Sequence, residues 1–305
     1  MALACSLHRT NHLAPDEVAL VRSLVEDAAA EDGVSPLSEQ GMLRLDSALP
    51  GVIHILATSG AQLLGYAQLV ASRGTPPSAE LAVAAPHRRE GIGTVLLDRV
   101  LAAQPQARIW AHGMLPGARA LAGRAGLTVV RELLRLARPL SPDDAFDTTL
   151  PQGYEVATFT DADGPQWLAL NAAAFADHPE QGRLTRADLA DRMVQPWFDP
   201  AGFFLIRDRE GRLAAFHWTK VEDDVGEVYV VGVAPDRQGL GLGRAATAIG
   251  LAHLRDAGLP RVVLYVDGDN DAALATYVTA GFERDHVDAQ LARLRVSTSA
   301  DRVTR

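Results

Sequence analysis

Residues 226–246 read GEVYVVGVAPDRQGLGLGRAA, and residues 79–97 read AELAVAAPHRREGIGTVLL. In each, an apolar run suited to a strand ends and a glycine-rich turn opens a helical pattern. An offset of 150 lays Val83 on Val233, Gly91 on Gly241 and Gly93 on Gly243. Arg124-Ala-Gly-Leu matches Thr279-Ala-Gly-Phe at an offset of 155. One duplicated unit of roughly 150 residues accounts for both matches.

Outward from these turns the halves share a plan. In the first, helical spacing covers 15–31 and 36–49, and strands are expected at 52–57, 63–71 and 80–84. Then come a helix at 91–103, a strand at 108–112, a helix at 116–124 and a closing strand at 128–137. The second half repeats the order, with helices at 162–176 and 185–194 and strands at 203–207, 213–220 and 227–233. A helix at 241–257, a strand at 262–266, a helix at 270–280 and a strand at 282–291 complete it. The expected fold is α/β (α+β): two tandem domains, 1–140 and 153–296, each a mixed, mostly antiparallel sheet flanked by helices. A Pro-, Asp- and Thr-rich linker spans 141–152, and the residues around Cys5 and from 297 onward read as frayed or disordered ends.

Composition narrows the function. The net charge of -9 disfavours nucleic-acid and anionic-membrane surfaces. The single cysteine excludes an intramolecular disulfide and a cysteine-based zinc or iron–sulfur site. No apolar run approaches the ~20 residues that span a bilayer, and the start has no signal-peptide pattern. A cytoplasmic monomer with no metal is expected. Lys220 stands out as the only lysine among 29 basic residues.

Successive glycines let backbone N–H groups converge where no Cβ obstructs, and a helix N-terminus adds its dipole. Gln238, Gly239, Leu240, Gly241, Leu242, Gly243 and Arg244 therefore form a candidate phosphate cradle. Gly241-x-Gly243-x-x-Ala246 also fits a dinucleotide fingerprint, but there the glycines follow the strand directly within a βαβ unit. Here residues 234–238 intervene and three consecutive strands precede the turn. A glycine turn with no ligand is the plain alternative, weakened by the second copy.

The spacing Gln238-x-x-Gly241-x-Gly243, repeated as Arg88-x-x-Gly91-x-Gly93, resembles the coenzyme A signature of the GNAT acetyltransferases. Asn270-x-x-Ala273-x-x-x-Tyr277-x-x-x-Gly281-Phe282 resembles that family's later pattern. Within the family, the loop 171–182 (NAAAFADHPEQG), Phe216-His-Trp-Thr-Lys220, Gly226-Glu227-Val-Tyr229, Leu264-Tyr265-Val, Asp32-Gly-Val-Ser-Pro and Glu39-Gln40 resemble the mycothiol synthases, which are tandem GNAT proteins. The resemblance implies acetyl transfer from acetyl-CoA to the cysteinyl amine of cysteinyl-glucosaminyl-inositol, the last step in making mycothiol. It implies acceptor contacts at Glu39, Glu180, Lys220, Glu227 and Tyr265. It implies coenzyme contacts at Val231, Gly232, Val233, the 238–244 turn, Asn270 and Ala273, and at Leu81, Ala82, Val83, Arg89, Gly91, Ile92, Gly93 and Thr94 of the first half.

Acyl transfer to an amine requires loss of the ammonium proton and stabilisation of the carbonyl oxygen, and the leaving thiolate welcomes a proton. Glu227, opening the central strand, is the candidate base; an ordinary strand-end glutamate is the alternative. Asn270 and Tyr277 stand two helical turns apart on one face. Asn270 suits a helix cap, and Tyr277 is either the acid or a core tyrosine, with the resemblance favouring the acid. A backbone N–H near Val231–Val233 would meet the oxyanion. In the first half the offsets place Pro77 at the base position, Ala122 at the acid and Leu115 at Asn270, while Glu80 aligns with Val230. That half is expected to bind coenzyme without catalysis, with Glu90 opposing a pyrophosphate. Two other readings remain: an acetyltransferase for another amine, such as an aminoglycoside or a peptide N-terminus, and a coenzyme-A-sensing module without catalysis.

Overall fold

The computed structural model describes residues 5–46, 50–71, 75–176, 178 and 181–294. The chain forms two compact units, 1–133 with 287–305, and 134–286. Each unit is closed by the end of a strand that begins in the other sequence half.

In unit 1, β1 (Ser6–Thr10), β2 (Val52–Ser59), β3 (Gln62–Val70), β4 (Ser78–Val83) and β5 (Arg108–Ala111) lie side by side in chain order. The end of β12 (Glu283–Ala292) follows β5, with Ala289 opposite Ala111, and the start of β6 (Thr128–Pro139) comes next. Ile55, Leu56 and Ala57 are all buried, because helices cover both sheet faces and the strand needs no polar side. α1 (Pro15–Asp32) has Pro at its first turn, accepts the Ala14 N–H on Glu17 and ends at Gly33 with φ 70°. It buries Val21, Leu24 and Val25 against Tyr66 and Ala82. α3 (Ile92–Ala103) and α4 (Pro116–Ala125) cover the other face, where Leu96, Leu97 and Val100 meet Ile55 and Leu69.

Unit 2 repeats the order with β7 (Tyr154–Thr158), β8 (Phe203–Asp208), β9 (Leu213–Glu222), β10 (Val225–Val233) and β11 (Arg261–Asp267), then the end of β6 and the start of β12. α5 (Gly164–Ala174) and α6 (Arg186–Met193) lie on one face; α7 (Leu242–Asp256) and α8 (Asp271–Thr279) lie on the other.

Several expectations need correction. Residues 6–10 are not frayed but pair antiparallel with β2, and Cys5 packs against the apolar core. β7 had no apolar alternation to reveal it: four of its five residues are exposed. The expected helix at 36–49 is α2 (Glu39–Leu43) followed by a 3-10 turn at Arg44–Asp46. Residues 47–49, Glu180 and the tail from 295 lie outside the described residues.

Candidate active site

β10 and β11 run parallel but pair only where Gly226, Glu227 and Val228 face Val262, Val263 and Leu264. Beyond that the strands part, while β10 continues to Val233 and β11 to Asp267. The Ala234 N–H donates to Ala214 of β9. Strand alternation then turns the Gly232 N–H toward β9, and those of Val231 and Val233 toward the gap. The oxyanion expectation narrows to these two.

The β9–β10 register slips between Val228 and Val230, making Tyr229 an extra, bulged residue. Before the bulge, Gly226 and Val228 pack toward Leu254 of α7; after it, Val231 and Val233 pack toward Leu242 and Ala246 of the same helix. Glu227 and Tyr229 thus face the α5–α6 side. Lys220 sits directly opposite Glu227 in register. Tyr229 and Val230 therefore share the α5–α6 face, which is where the alternation of β10 breaks.

At the end of β10, a 3-10 turn at Pro235–Arg237 leads into Gly239 and Gly241, with φ of 76° and 82°. Apart from its own residue and chain neighbours, no atom lies within 4 Å of where a Cβ would stand at either glycine. The left-handed backbone and the open space at the head of α7 fit a bound pyrophosphate. Gln238 to Arg244 are the residues that would hold it. Arg244, exposed, pairs with Asp147. On α8, the Asn270 side chain accepts the Ala273 N–H at 3.1 Å, so it is the cap its position suggested. Tyr277 is 9% exposed. It packs edge-on to Phe282 within an apolar cluster containing Val228, Leu264 and Val266. Burial pushes its hydroxyl up to about 12. Glu227 and Tyr277 therefore stand on opposite faces of the sheet, beside the gap that connects them.

The remaining expected residues divide. Lys220 is buried and Tyr265 is half-exposed on β11. Glu39 opens α2 and belongs to unit 1. The loop after α5 is tied by Asn171, which donates to the Gln181 carbonyl at 2.6 Å and accepts from the Gln181 amide at 3.0 Å. His178 Nδ1 accepts the Gln181 N–H at 2.9 Å, and Nε2 lies 3.6 Å from Asp267.

In unit 1, β4 and β5 also pair briefly, at Ser78–Arg108 and Ala79–Ile109, and then part. Gly91 opens α3 with φ 92°, and Arg89 also has positive φ, 69°. The main chain of Leu81 and Val83 faces the gap by the same alternation, since the Ala84 N–H donates to Leu64. Arg88 is not aimed at a ligand: it holds Asp32 through two bonds of 2.8 and 2.7 Å. The Glu90 carboxylate lies 3.2 Å from His87 Nδ1, a local partner sequence reading did not foresee. No bulge interrupts β3–β4. The structural counterpart of Glu227 is therefore Ser78, not Pro77, and that of Lys220 is Val70. Toward α2, the Glu80 carboxylate meets His112 Nε2 at 3.0 Å, and His112 Nδ1 meets Asp288 at 3.0 Å. Ser38 and Gly113 donate their N–H groups to Glu80 and Asp288. A Cβ at Gly41 would collide with the Glu80 carboxylate. An ion triad thus lies beside the unit 1 gap, where unit 2 has Val230 and Asp267.

The acetyltransferase (GNAT) family model matches residues 166–282. A mycothiol acetyltransferase of Streptomyces coelicolor is 50% identical over 290 residues, covering 93% of this chain and 94% of the relative. One from Rhodococcus jostii is 47% identical over 296 residues, covering 93% and 97%. Among solved structures, a tandem GNAT protein from the clavulanic acid biosynthesis pathway superposes with a TM-score of 0.71 at 19% identity, covering 94% of this chain and 98% of that one. A GCN5-related N-acetyltransferase from Sphaerobacter thermophilus gives 0.66 at 19% identity, covering 93% and 94%. The fold is that of tandem GNAT proteins, acetyl-CoA is the co-substrate, and the chain belongs to the mycothiol acetyltransferase family of GNAT acetyltransferases.

Proposed function

We propose that unit 2 transfers an acetyl group to the cysteinyl amine of cysteinyl-glucosaminyl-inositol, and that unit 1 binds coenzyme without catalysis. The observation that carries this reading is the gap between β10 and β11: Glu227 is in its last paired segment, on the α5–α6 face, and the glycine turn ends the same strand. Acetyl-CoA supplies the activated acetyl group. Gln238 to Arg244 hold its phosphates by main-chain N–H groups. The Val231 and Val233 N–H groups are placed to meet charge on the carbonyl oxygen. Glu227 takes the amine proton directly or through one water. The Tyr277 hydroxyl, kept protonated by burial, donates toward the leaving sulfur. Lys220 and Tyr265 contact the acceptor, and Glu180 is assigned to it by the family pattern alone. Ser78, Val70 and Ala122 leave unit 1 without counterparts of Glu227, Lys220 and Tyr277, and its Glu80 and His112 are engaged with each other.

The test is to incubate the protein with acetyl-CoA and the cysteinyl pseudo-disaccharide and follow the product by mass spectrometry, because acceptor and released coenzyme both carry thiols. Gain of one acetyl group on nitrogen is expected. Turnover with an aminoglycoside or a peptide amine but not with this acceptor would replace the substrate assignment.

A further inference from the structure

Lys220 is 7% exposed, and a buried ammonium must be compensated where it sits. Its Nζ lies 4.8 Å from the ring centroid of Trp197 and 6.0 Å from that of Tyr229. The exposed Glu222 carboxylate approaches it to 2.8 Å, and Glu227 stands opposite in register. Trp197, from the segment after α6, packs 5.1 Å from Tyr229 and 5.9 Å from Trp218, centroid to centroid. Tyr229 is the bulged residue, and its hydroxyl accepts from Arg192 Nε at 2.8 Å. Arg192 is itself fixed by a 2.9 Å bond from Nη1 to the Asp188 carbonyl of α6. A helix, a loop and a β-bulge converge on one ammonium. Unit 1 has Val70 in place of Lys220, Ser78 in place of Glu227 and no bulge. The cage therefore accompanies the half that carries the candidate base.

We propose that Trp197 and Tyr229 are positioning residues that hold the Lys220 ammonium in place as a hydrogen-bond donor to the polyol acceptor. Aromatic faces suit this task. They attract a cation without accepting an N–H in a directed bond, so they add to the Glu222 contact without occupying a further N–H. The proposal rests on the reading of Lys220 as an acceptor contact.

Because lysine occurs once, protein labelled with 13C at lysine Cε gives one lysine signal. Ring currents displace its ε protons upfield in the wild type. Trp197→Leu should abolish that displacement and Trp197→Phe keep part of it. An undisplaced wild-type signal overturns the cage whatever the enzyme's substrate. The kinetic arm varies the acceptor at saturating acetyl-CoA. Trp197→Leu should raise the acceptor KM by about 3- to 30-fold, leave the KM for acetyl-CoA within about two-fold, and be largely rescued by Phe. In a Lys220→Met background the same change should move the acceptor KM by less than about two-fold, because Trp197 acts through Lys220. Equal effects in both backgrounds overturn the positioning role while leaving the proposed reaction standing. No turnover of the cysteinyl acceptor by the wild type fails the reaction itself. An unchanged acceptor KM in Lys220→Met overturns the proposal at its base. Should Trp197→Leu unfold, Tyr229→Leu carries both arms.

Discussion

Glu227 and Tyr277 flank one gap from opposite faces of the sheet, so their variants should fail in different ways. Glu227→Gln keeps size and hydrogen bonding but cannot take a proton. Its kcat should fall by about 10²- to 10⁴-fold at pH 7 with the acceptor KM little changed. The defect should shrink as pH rises, because the free amine then supplies itself. A loss below about five-fold with saturating acceptor would make Glu227 an ordinary strand-end carboxylate. Tyr277→Phe keeps the packing against Phe282 and removes only the hydroxyl. Its defect should be smaller, since a thiolate of pKa about 8–9 leaves tolerably unaided. With the hydroxyl pushed up to about 12, wild-type kcat should show no Tyr277-dependent decline below pH 10. A fall in kcat near pH 9 that vanishes in Tyr277→Phe would contradict that burial. At this scale the sequence yielded residue types and spacing, but not faces. The face of Glu227 depends on the bulge at Tyr229, and the offset that ignored the bulge chose Pro77 over Ser78.

The glycine turns were legible because a phosphate cradle needs positive φ at fixed places, and glycine marks them. Gly241→Ala, at φ 82°, should raise the KM for acetyl-CoA several-fold, while Gly91→Ala, at φ 92°, should leave kcat near wild type in folded protein. Loss of turnover in folded Gly91→Ala would show that unit 1 contributes to chemistry. The Glu80–His112–Asp288 triad was not legible, because three residues far apart in sequence become neighbours only when β4, β5 and β12 align. For His112, burial alone would depress the pKa, but its bonds to Asp288 and Glu80 outweigh burial and raise it to about 10. Burial likewise works to raise Glu80, but His112 and Ser38 hold it below its ordinary value. A raised histidine pKa stabilises fully below the unfolded value, ~6.5, and that stability fades as pH climbs through about 10. The lowered Glu80 is a loss only under acid conditions, below its ordinary value of 4.5. Thermal melts from pH 7 to 10.5 should therefore decline more steeply in wild type than in His112→Gln, by at most about 1.4 kcal/mol per pH unit. Parallel profiles would mean that the triad is not charged as its hydrogen bonds imply.

Over the whole chain, duplication was readable from two glycine turns, whereas the exchange of closing strands was not. Each half's last strand has apolar positions that suit any sheet edge, and nothing in its own residues names the partner. Yet β12 places Ala289 opposite Ala111, and its Asp288 completes the triad of unit 1. Unit 2 in turn takes residues 134–139 from the first half, with Arg135 paired to Asp285 at 3.0 Å and Arg138 bonded to the Ala280 carbonyl at 2.6 Å. Residues 1–140 expressed alone would thus lack the strand beside β5 and leave its hydrogen-bonding groups unpaired, with His112 missing one of its two carboxylates. Such a fragment should be poorly folded, exchanging the β5 amides quickly and binding acetyl-CoA weakly or not at all. Adding a peptide of residues 283–294 in trans should slow exchange at Ile109 and Ala111, whereas the same peptide with Asp288→Asn should do so less. A fragment that melts cooperatively near the temperature of the full chain, with β5 amides already protected, would show that the exchanged strand is dispensable to unit 1. Retention of that folded state after β12 is cut from the full chain would extend the same conclusion to the intact protein.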